Sequence, residues 1–402
     1  MALESYRYKI ELNYVNEKNQ EIAIDMQQIQ YVGIDKNFDE NNMPVIAIIG
    51  SIEKDILDDM IRNIDKNIMT LGIYKYDASG QNDNITNKYF HDRFIYIIPD
   101  DISKTAELDY EGSSQQNYKY KDVTIWLLQQ DVVNGNRNLI NGIFKNATTN
   151  SLILQITDYI GNVLLEPVRY DNKYDQVIIP PCTSISNYIA YLNNNLSVFY
   201  DTPYRFFMDF DTAYIVSSAG KPVEIKNQNI FTVEINVTGI IPDDDSESGM
   251  SVDKNTNKYS IDIPLAYMEF TKNNVSNKMV NQITTIDSEG NIKSKDISGN
   301  KIKTTTPMTK IVNLSNSDAN AVNNVTSGYE LDNIMVTINK NDLDASIFTI
   351  NKEYIFNMDD GHLEYSGRYL LSAAKQFYVK QNEYFVMTTI LMFKKIKESG
   401  KA

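Results

Sequence analysis

The chain has 402 residues, 42% of them hydrophobic and 23% charged, with a net charge of −15 and a sequence pI of about 4.7. That length predicts roughly two to four domains, and that balance of residues excludes wholesale disorder. A grip on nucleic acid through its phosphates needs basic stripes, and the densest basic spot is the short "FKKIK" near the C-terminus, so no specific nucleic-acid binding is expected. No window reaches ~18 apolar residues, which predicts no transmembrane helix, and "MALESYRYKIELNY" has no apolar run of signal-peptide length. A single cysteine, Cys182, excludes an intramolecular disulfide and a cysteine-built metal site and points to assembly in a reducing cytosol. Export by cell lysis would need no signal. Sequons such as "NIT" at Asn84 follow from the abundance of Asn.

"SYRYKIELNY" alternates with a period of two: Tyr6, Tyr8, Ile10, Leu12 and Tyr14 on one face, Ser5, Arg7, Lys9, Glu11 and Asn13 on the other. "NEKNQ" is a polar turn, and "EIAIDM" completes an antiparallel hairpin. "MPVIAIIG" reads as a strand. Ser51 then caps a predicted helix carrying Ile52, Ile56, Leu57, Met60, Ile61 and Ile64 on one face. "IMTLGIYKY" and "DRFIYIIP" return to strand composition. The first 105 or so residues therefore read as an antiparallel β-domain with one covering helix.

From about Glu111 the pattern changes. "EGSSQQNYKY" is a linker or exposed loop. "RNLINGIFKNA" and "TTNSLILQITDYIG" have helical spacing, through Leu139, Ile140, Ile143 and Phe144, then Leu152, Ile153, Ile156 and Ile160. "QVIIPPCTSIS" is a strand stopped by two prolines, and Thr183 or Ser184 caps a helix with Ile185, Tyr188, Ile189, Leu192 and Leu196 on one face. Behind it, "YRFFMDF", a "DT" corner and "AYIVSS" form a predicted β-hairpin. "NIFTVEINVTGI" is a strand, and the acidic "PDDDSESG" breaks it off. The polar segment from Met250 to Gly328 reads as an insertion with strand-like islands. "DNIMVTIN", "EYIFNM", a turn at Asp360-Gly361, "RYLLSAAKQFYV" and "YFVMTTILMFKK" end the chain in strands. The last is apolar on both faces, Phe385, Met387, Leu391 and Phe393 against Tyr384, Val386, Ile390 and Met392. Such a strand needs cover on both sides, from the insertion or from another subunit. "YKIELN" at Tyr8 and "FTVEIN" at Phe231 share an order of residue types, so a duplicated barrel is one reading.

Candidate chemistry is sparse. Asp209 and Asp211, two apart on a strand, share a face and would suit a shared proton or metal. "DTA" departs from the Asp-Thr-Gly turn of aspartic proteases and has no second copy, so "DFDT" reads as a strand ending at a corner. A calcium loop starting at Asp253 fails, with Lys258 where Gly is required and Pro264 where Glu is required. Asp243–Asp245 reads as a solvated loop. His91 and His362 are the only histidines and sit in no partner motif, and no phosphate-binding, dinucleotide-binding or nucleophile-elbow motif is present. Trp126 in "DVTIWLL" is expected in the core rather than as a sugar platform. Carboxylates brought together by folding leave a glycan hydrolase open.

The order of parts carries a resemblance. A β-domain with "ENNMPVIAIIGSIEKDILDDMI" precedes a helical middle, then "TSISNYIAYLNNNLSVFYDTPYRFFMDFDTAYIVSSAG", then a split β-domain ending in "SGRYLLSAAKQFYVKQNEYFVMTTILMFKK". This resembles the baseplate hub proteins of contractile-tailed bacteriophages, adaptors between tail tube and central spike related to the late control protein D family. The resemblance implies an α+β, mainly antiparallel β fold with two tube-like β-barrel domains, a helix-containing middle domain and a polar insertion. The expected boundaries are 1–110 for the first barrel, 111–220 for the middle domain, 221–245 with 330–402 for the second barrel, and 246–329 for the insertion.

The resemblance further implies a non-enzymatic homotrimer. It would join the sixfold tail tube to the threefold spike, with the tail tube protein, the spike and baseplate wedge proteins as partners. It would be located in the virion baseplate after assembly in the host cytoplasm, without membrane insertion. An acidic channel would repel rather than hold passing DNA. No catalytic residue, cofactor or metal is expected. Phe206, Phe207, Phe385 and Phe393 are the structural and interface candidates. Two other readings stand beside this one: a phage tail glycan-binding protein or glycan hydrolase, and a distal tail or tube protein forming sixfold rings.

Overall fold

Alternation decides the first strands. β1 (Arg7–Val15) buries Tyr8, Ile10, Leu12 and Tyr14, and β2 (Glu21–Ile24) returns antiparallel with Glu21 opposite Val15. The turn between them closes on Asn16, whose Oδ1 accepts from the N–H groups of Lys18 and Gln20, while Asn19 takes a left-handed φ of 60°. The computed structural model describes residues 6–38, 43–63, 67–76, 87–99, 119–130, 133, 140–158, 162–165, 173–180, 184–192, 204–210, 212–217, 232–239, 250–253, 258–272, 282–286, 292–296, 310–313, 331–343, 348–350, 352–358 and 362–396.

β3 (Ile29–Asn37) and β4 (Val45–Glu53) follow, then α1 (Lys54–Arg62). The expected Ser51 cap is not formed. The strand continues through Ser51, which donates to Asp122 instead, and Glu53 precedes the helix without a side-chain capping bond. Ile52 is consequently buried as a strand residue, and Ile61 is exposed; Ile64 lies outside the described residues. Three hydrogen bonds pin the helix: Tyr14 Oη to Asp59 Oδ2 at 2.8 Å, Tyr96 Oη to the Met60 carbonyl at 2.8 Å, and Asn63 Nδ2 to the Val15 carbonyl at 2.5 Å. Burial and then the bond to Asp59 hold the Tyr14 phenol well above its usual pKa, and burial pushes Tyr96 up to about 12.

β5 (Ile68–Tyr76), β6 (Asn87–Ile97) and β7 (Tyr120–Gln129) complete the N-terminal strands. Trp126 is not in the core. Val123, Ile125 and Leu127 take the inward positions of β7, so period two turns Trp126 outward.

The expected helix over Leu139–Phe144 is also corrected from residue 140 on, Leu139 lying outside the described residues: β8 (Gly142–Thr148) is a strand paired with a later one. Four apolar residues over six positions fit either period, and the positive φ of Gly142 (136°) and Asn146 (50°) belongs to strand irregularity rather than to a helix. α2 (Thr149–Leu154) begins at a capping box between Thr148 and Ser151 and continues into a 3-10 turn over Gln155–Asp158. β9 (Asn162–Leu165), β10 (Lys173–Ile179) and α3 (Ile185–Tyr191) follow, the last capped by Ser184, whose Oγ accepts from the Asn187 N–H. β11 (Tyr204–Asp209) and β12 (Thr212–Ser217) form the expected hairpin.

Then come β13 (Thr232–Thr238), β14 (Met250–Asp253), β15 (Lys258–Pro264), β16 (Met268–Lys272), β17 (Gln282–Ile286), β18 (Ile292–Asp296) and β19 (Lys310–Asn313). β20 (Leu331–Asn341), β21 (Glu353–Asn357), β22 (Gly367–Gln381) and β23 (Tyr384–Ile396) end the described chain. The turn expected at Asp360-Gly361 lies outside the described residues, as do Asp211, Cys182 and Asp243–Asp245.

The fold is mostly β, dominated by one 15-stranded sheet. Its pairings contain a closed antiparallel circuit: β1–β5–β6–β7–β4–β3–β22–β23 and back to β1 through Tyr8 opposite Phe385. A second run leaves the same hairpin at its other end, β21–β13–β15–β14 from β22 and β20–β16 from β23. β15 bends through a 3-10 turn straight into β16, which returns the chain from one arm of this run to the other. β13 is parallel to both β15 and β21, a departure from the antiparallel pairing of the rest of the large sheet.

Three cores result: one inside the closed circuit, one inside the second run, and one between α2, α3, the β8–β10 ribbon and the β11–β12 hairpin. β7, beyond residue 110, belongs to the first circuit, and β15 and β16, inside the expected insertion, belong to the second run. β17, β18 and β19 form a small sheet of their own.

Candidate interface at the junction of three cores

The stretch "YRFFMDF" is where the cores meet. Consecutive strand residues point to opposite sides, so Phe206 enters the third core and Phe207 the second. Phe207 stacks on Tyr214 at 5.2 Å and tilts against Phe38 at 5.7 Å. At the hairpin tip Phe210 takes a left-handed φ of 51°, which swings its ring onto the first core at 5.0 Å from Phe90 and 6.2 Å from Phe94. Lys36 fastens the tip: its ammonium lies 2.8 Å from Asp209 Oδ1 and 4.5 Å from the Phe210 ring centroid. Asp209 is therefore an ion-pair partner of the first β region.

The C-terminal hairpin joins the other two cores. β22 places Tyr378 in the first core and Tyr369, Leu371 and Ala374 in the second. β23 does the same on one face, Phe385 and Met387 in the first, Leu391 and Phe393 in the second. Between the two lies a layer of buried polar residues, Ser372, Gln376 and Thr389. Thr389 Oγ1 donates to the Leu343 carbonyl at 2.8 Å and Gln376 Nε2 to Met387 Sδ at 3.4 Å, while the Ser372 backbone carbonyl accepts from the Phe38 N–H at 2.8 Å. Beside this layer Asp342, at φ 55°, donates its N–H to the Met387 carbonyl at 3.0 Å. Burial raises its carboxyl to about 6, and its Oδ1 is enclosed without a hydrogen-bond partner among the described residues. Burial also lowers the Lys340 ammonium, which sits 5.4 Å from the Tyr267 ring centroid.

All four aromatic candidates, Phe206, Phe207, Phe385 and Phe393, are buried within the chain. Asp209 meets Lys36, His91 is exposed on β6, and the His362 ring stacks 6.1 Å from Phe270. Among the described residues no group of three or more His, Cys, Asp or Glu is placed to hold a metal ion, and no helix is long and apolar enough to cross a membrane. What this geometry does is mechanical. One hairpin tip and one long hairpin pack three cores against one another.

The family model of the bacteriophage PBS1 gene 109 protein matches residues 2–396. The chain belongs to that family. The tail protein from Neisseria meningitidis MC58 superposes with a TM-score of 0.51 at 10% identity, over 97% of this chain and 97% of its own. The 43 kDa tail protein of prophage MuSo2 from Shewanella oneidensis gives 0.49 at 9% identity, over 96% and 98%. The E. coli c3393 protein, a component of the type VI secretion system, gives 0.45 at 8% identity, over 98% and 77%. No curated protein matches. The resemblance drawn from the sequence thus holds as membership of a bacteriophage family with the fold of a tail protein.

Within this family member, the sequence reading missed Lys36 and Phe210. Lys36 sits in a polar tail of β3, and no local signal connects it to Asp209, far along the chain. Phe210 was legible only as one more apolar residue of the hairpin, because the left-handed backbone that re-aims it is a property of the corner.

Proposed function

We propose that the protein is a structural, non-enzymatic baseplate hub: a homotrimer that joins the sixfold tail tube to the threefold spike of a contractile tail and forms part of the DNA channel. The observation that carries this reading is the shared hairpin β22–β23, which closes one strand circuit and opens a second curled run from its other end. Two such modules in one chain, read as tube-like barrels, let three chains present six similar units to the tube while keeping threefold symmetry toward the spike. The bacteriophage family and the tail-protein fold support the setting. The net charge of −15 suits a channel wall that DNA must leave rather than bind. Tail tube protein, spike and wedge proteins are the partners of this reading, and the virion baseplate, assembled in the host cytoplasm, is its location.

Mass measurement of the purified full chain by light scattering tests it. Three copies are expected. A strict monomer with glycan-degrading activity, or a six-membered ring, would replace the hub reading with another tail function.

A further inference from the structure

Among the described residues, two exposed apolar patches lie outside the three cores. The first is on the outer wall of the closed circuit. Ala47 lies beside Trp126 and Trp126 beside Ile97; one step along, Val379 lies beside Tyr31 and Tyr31 beside Ile49. Ile49, Ile97, Trp126 and Val379 are 40–44% exposed, so two neighbouring rows across β22, β3, β4, β7 and β6 form an apolar belt. Polar pairs border it: Lys375 with Asp35 at 2.8 Å on one side, Lys119 with Glu53 at 2.9 Å and Ser51 with Asp122 on the other. An apolar centre inside a polar rim is how interfaces are built, whereas scattered exposed apolar residues are ordinary surface.

The second patch is the β8–β10 ribbon. Its inner face, Phe144 and Val177, packs on the third core. Its outer face sets Ile143 directly opposite Ile178, 60% and 58% exposed, with Lys145 opposite Gln176 one step further. Among the described residues the ribbon's unpaired charge is net positive, Lys145 and Lys173 against Asp175. Among the described residues Asp122 on the belt rim has no cation partner, and Lys145 on the ribbon has no carboxylate partner.

We infer that the occupant of the belt is the β8–β10 ribbon of a second copy of this chain, with Ile143 and Ile178 against Trp126 and Lys145 facing Asp122. This inference rests on the hub reading for the number of copies and adds the surfaces through which they meet. Belt on belt would bring two Asp122 rims together, where the rim cation Lys119 is already paired with Glu53. Ribbon on belt joins unlike surfaces, and a head-to-tail contact of unlike surfaces generates a ring when its rotation closes. It also requires nothing of the four buried phenylalanines.

The test uses the full chain with a benzophenone photo-crosslinker in place of Trp126, followed by peptide mapping of the crosslinked species. The expected product links position 126 of one copy to the 143–148 or 173–180 segment of another. Charge reversal supplies a second readout: Asp122→Lys and Lys145→Glu each weaken assembly at least tenfold, and the double variant recovers most of it. Both sites are on the surface, so unchanged thermal melting shows that the variants fold. A three-copy assembly that crosslinks belt to belt, or whose single variants assemble normally, overturns this interface and leaves the hub reading in place. A six-copy ring with the ribbon crosslink does the reverse. A chain that stays monomeric at all concentrations overturns both.

Discussion

Asp342 has the most consequential single environment. Its carboxyl rises from 3.8 to about 6 because burial disfavours the charged form, with Lys340 and Lys75 offsetting only part of that. Folding therefore favours the protonated acid. That contribution is complete below the unfolded pKa of 3.8 and is lost as pH rises through about 6. Asp342→Asn should melt higher than the parent at pH 7, with the difference shrinking to nothing near pH 4, as read from thermal unfolding across that range. The reverse trend would mean that the carboxylate is paired when ionised. Phe207 gives the contrasting case. It is fully buried between Phe38 and Tyr214, so Phe207→Ala should cost about 3–5 kcal/mol in denaturant unfolding. Asp209→Asn removes a half-screened ion pair with Lys36 and should cost about 1–2 kcal/mol, between the exposed and the buried case. Equal costs for the two would argue that the hairpin is held by its charge and not by its rings.

At the scale of elements, alternation was the dependable guide. β23 buries every second residue from Phe385 to Phe393, and β1 does so from Tyr8 to Tyr14, as their sequences say. The outer face of β23 is only half covered within the chain: Val386, Ile390 and Met392 are neither buried nor fully exposed. In "YKIELN" Glu11 pairs with Lys9 on its own strand, and in the described part of "FTVEIN" Glu234 pairs across to Lys258 on β15, each at 2.9 Å. Their neighbours differ, since β1 is flanked by antiparallel strands and β13 by parallel ones. The bulge in β3 opposite β4 has a visible cause at Gly50, where an added Cβ would lie 2.4 Å from the Gln28 carbonyl oxygen. Gly50→Ala must displace backbone and should cost about 1–3 kcal/mol, measured by denaturant unfolding. The bulge is absent from any pattern in the sequence, because a glycine in a strand has several explanations until its neighbour is placed.

For the whole molecule, the shared hairpin makes a thermodynamic statement. With Phe385 and Phe393 on one strand in two different cores, neither β module can lose β23 without opening the other. Calorimetry should show one cooperative transition for both, and amide exchange in β1 and β13 should report the same opening free energy. Two separated transitions would mean that the modules are stable apart.

Residue order alone determined the alternating faces of β1 and β23, a helix capped at Thr183 or Ser184, the hairpin at Phe206–Phe207 and the scarcity of basic clusters along the sequence. These are local, written in a period of two, in a cap, or in a count of charges. Tertiary structure decided that β7, β15 and β16 join the large sheet, that Trp126 faces out, that Lys36 meets Asp209, and that one hairpin serves two cores. The physical reason is that strand pairing, and with it the choice of inward face, is set by partners tens to hundreds of residues away, and a single strand carries no record of which neighbour will complete its hydrogen bonds.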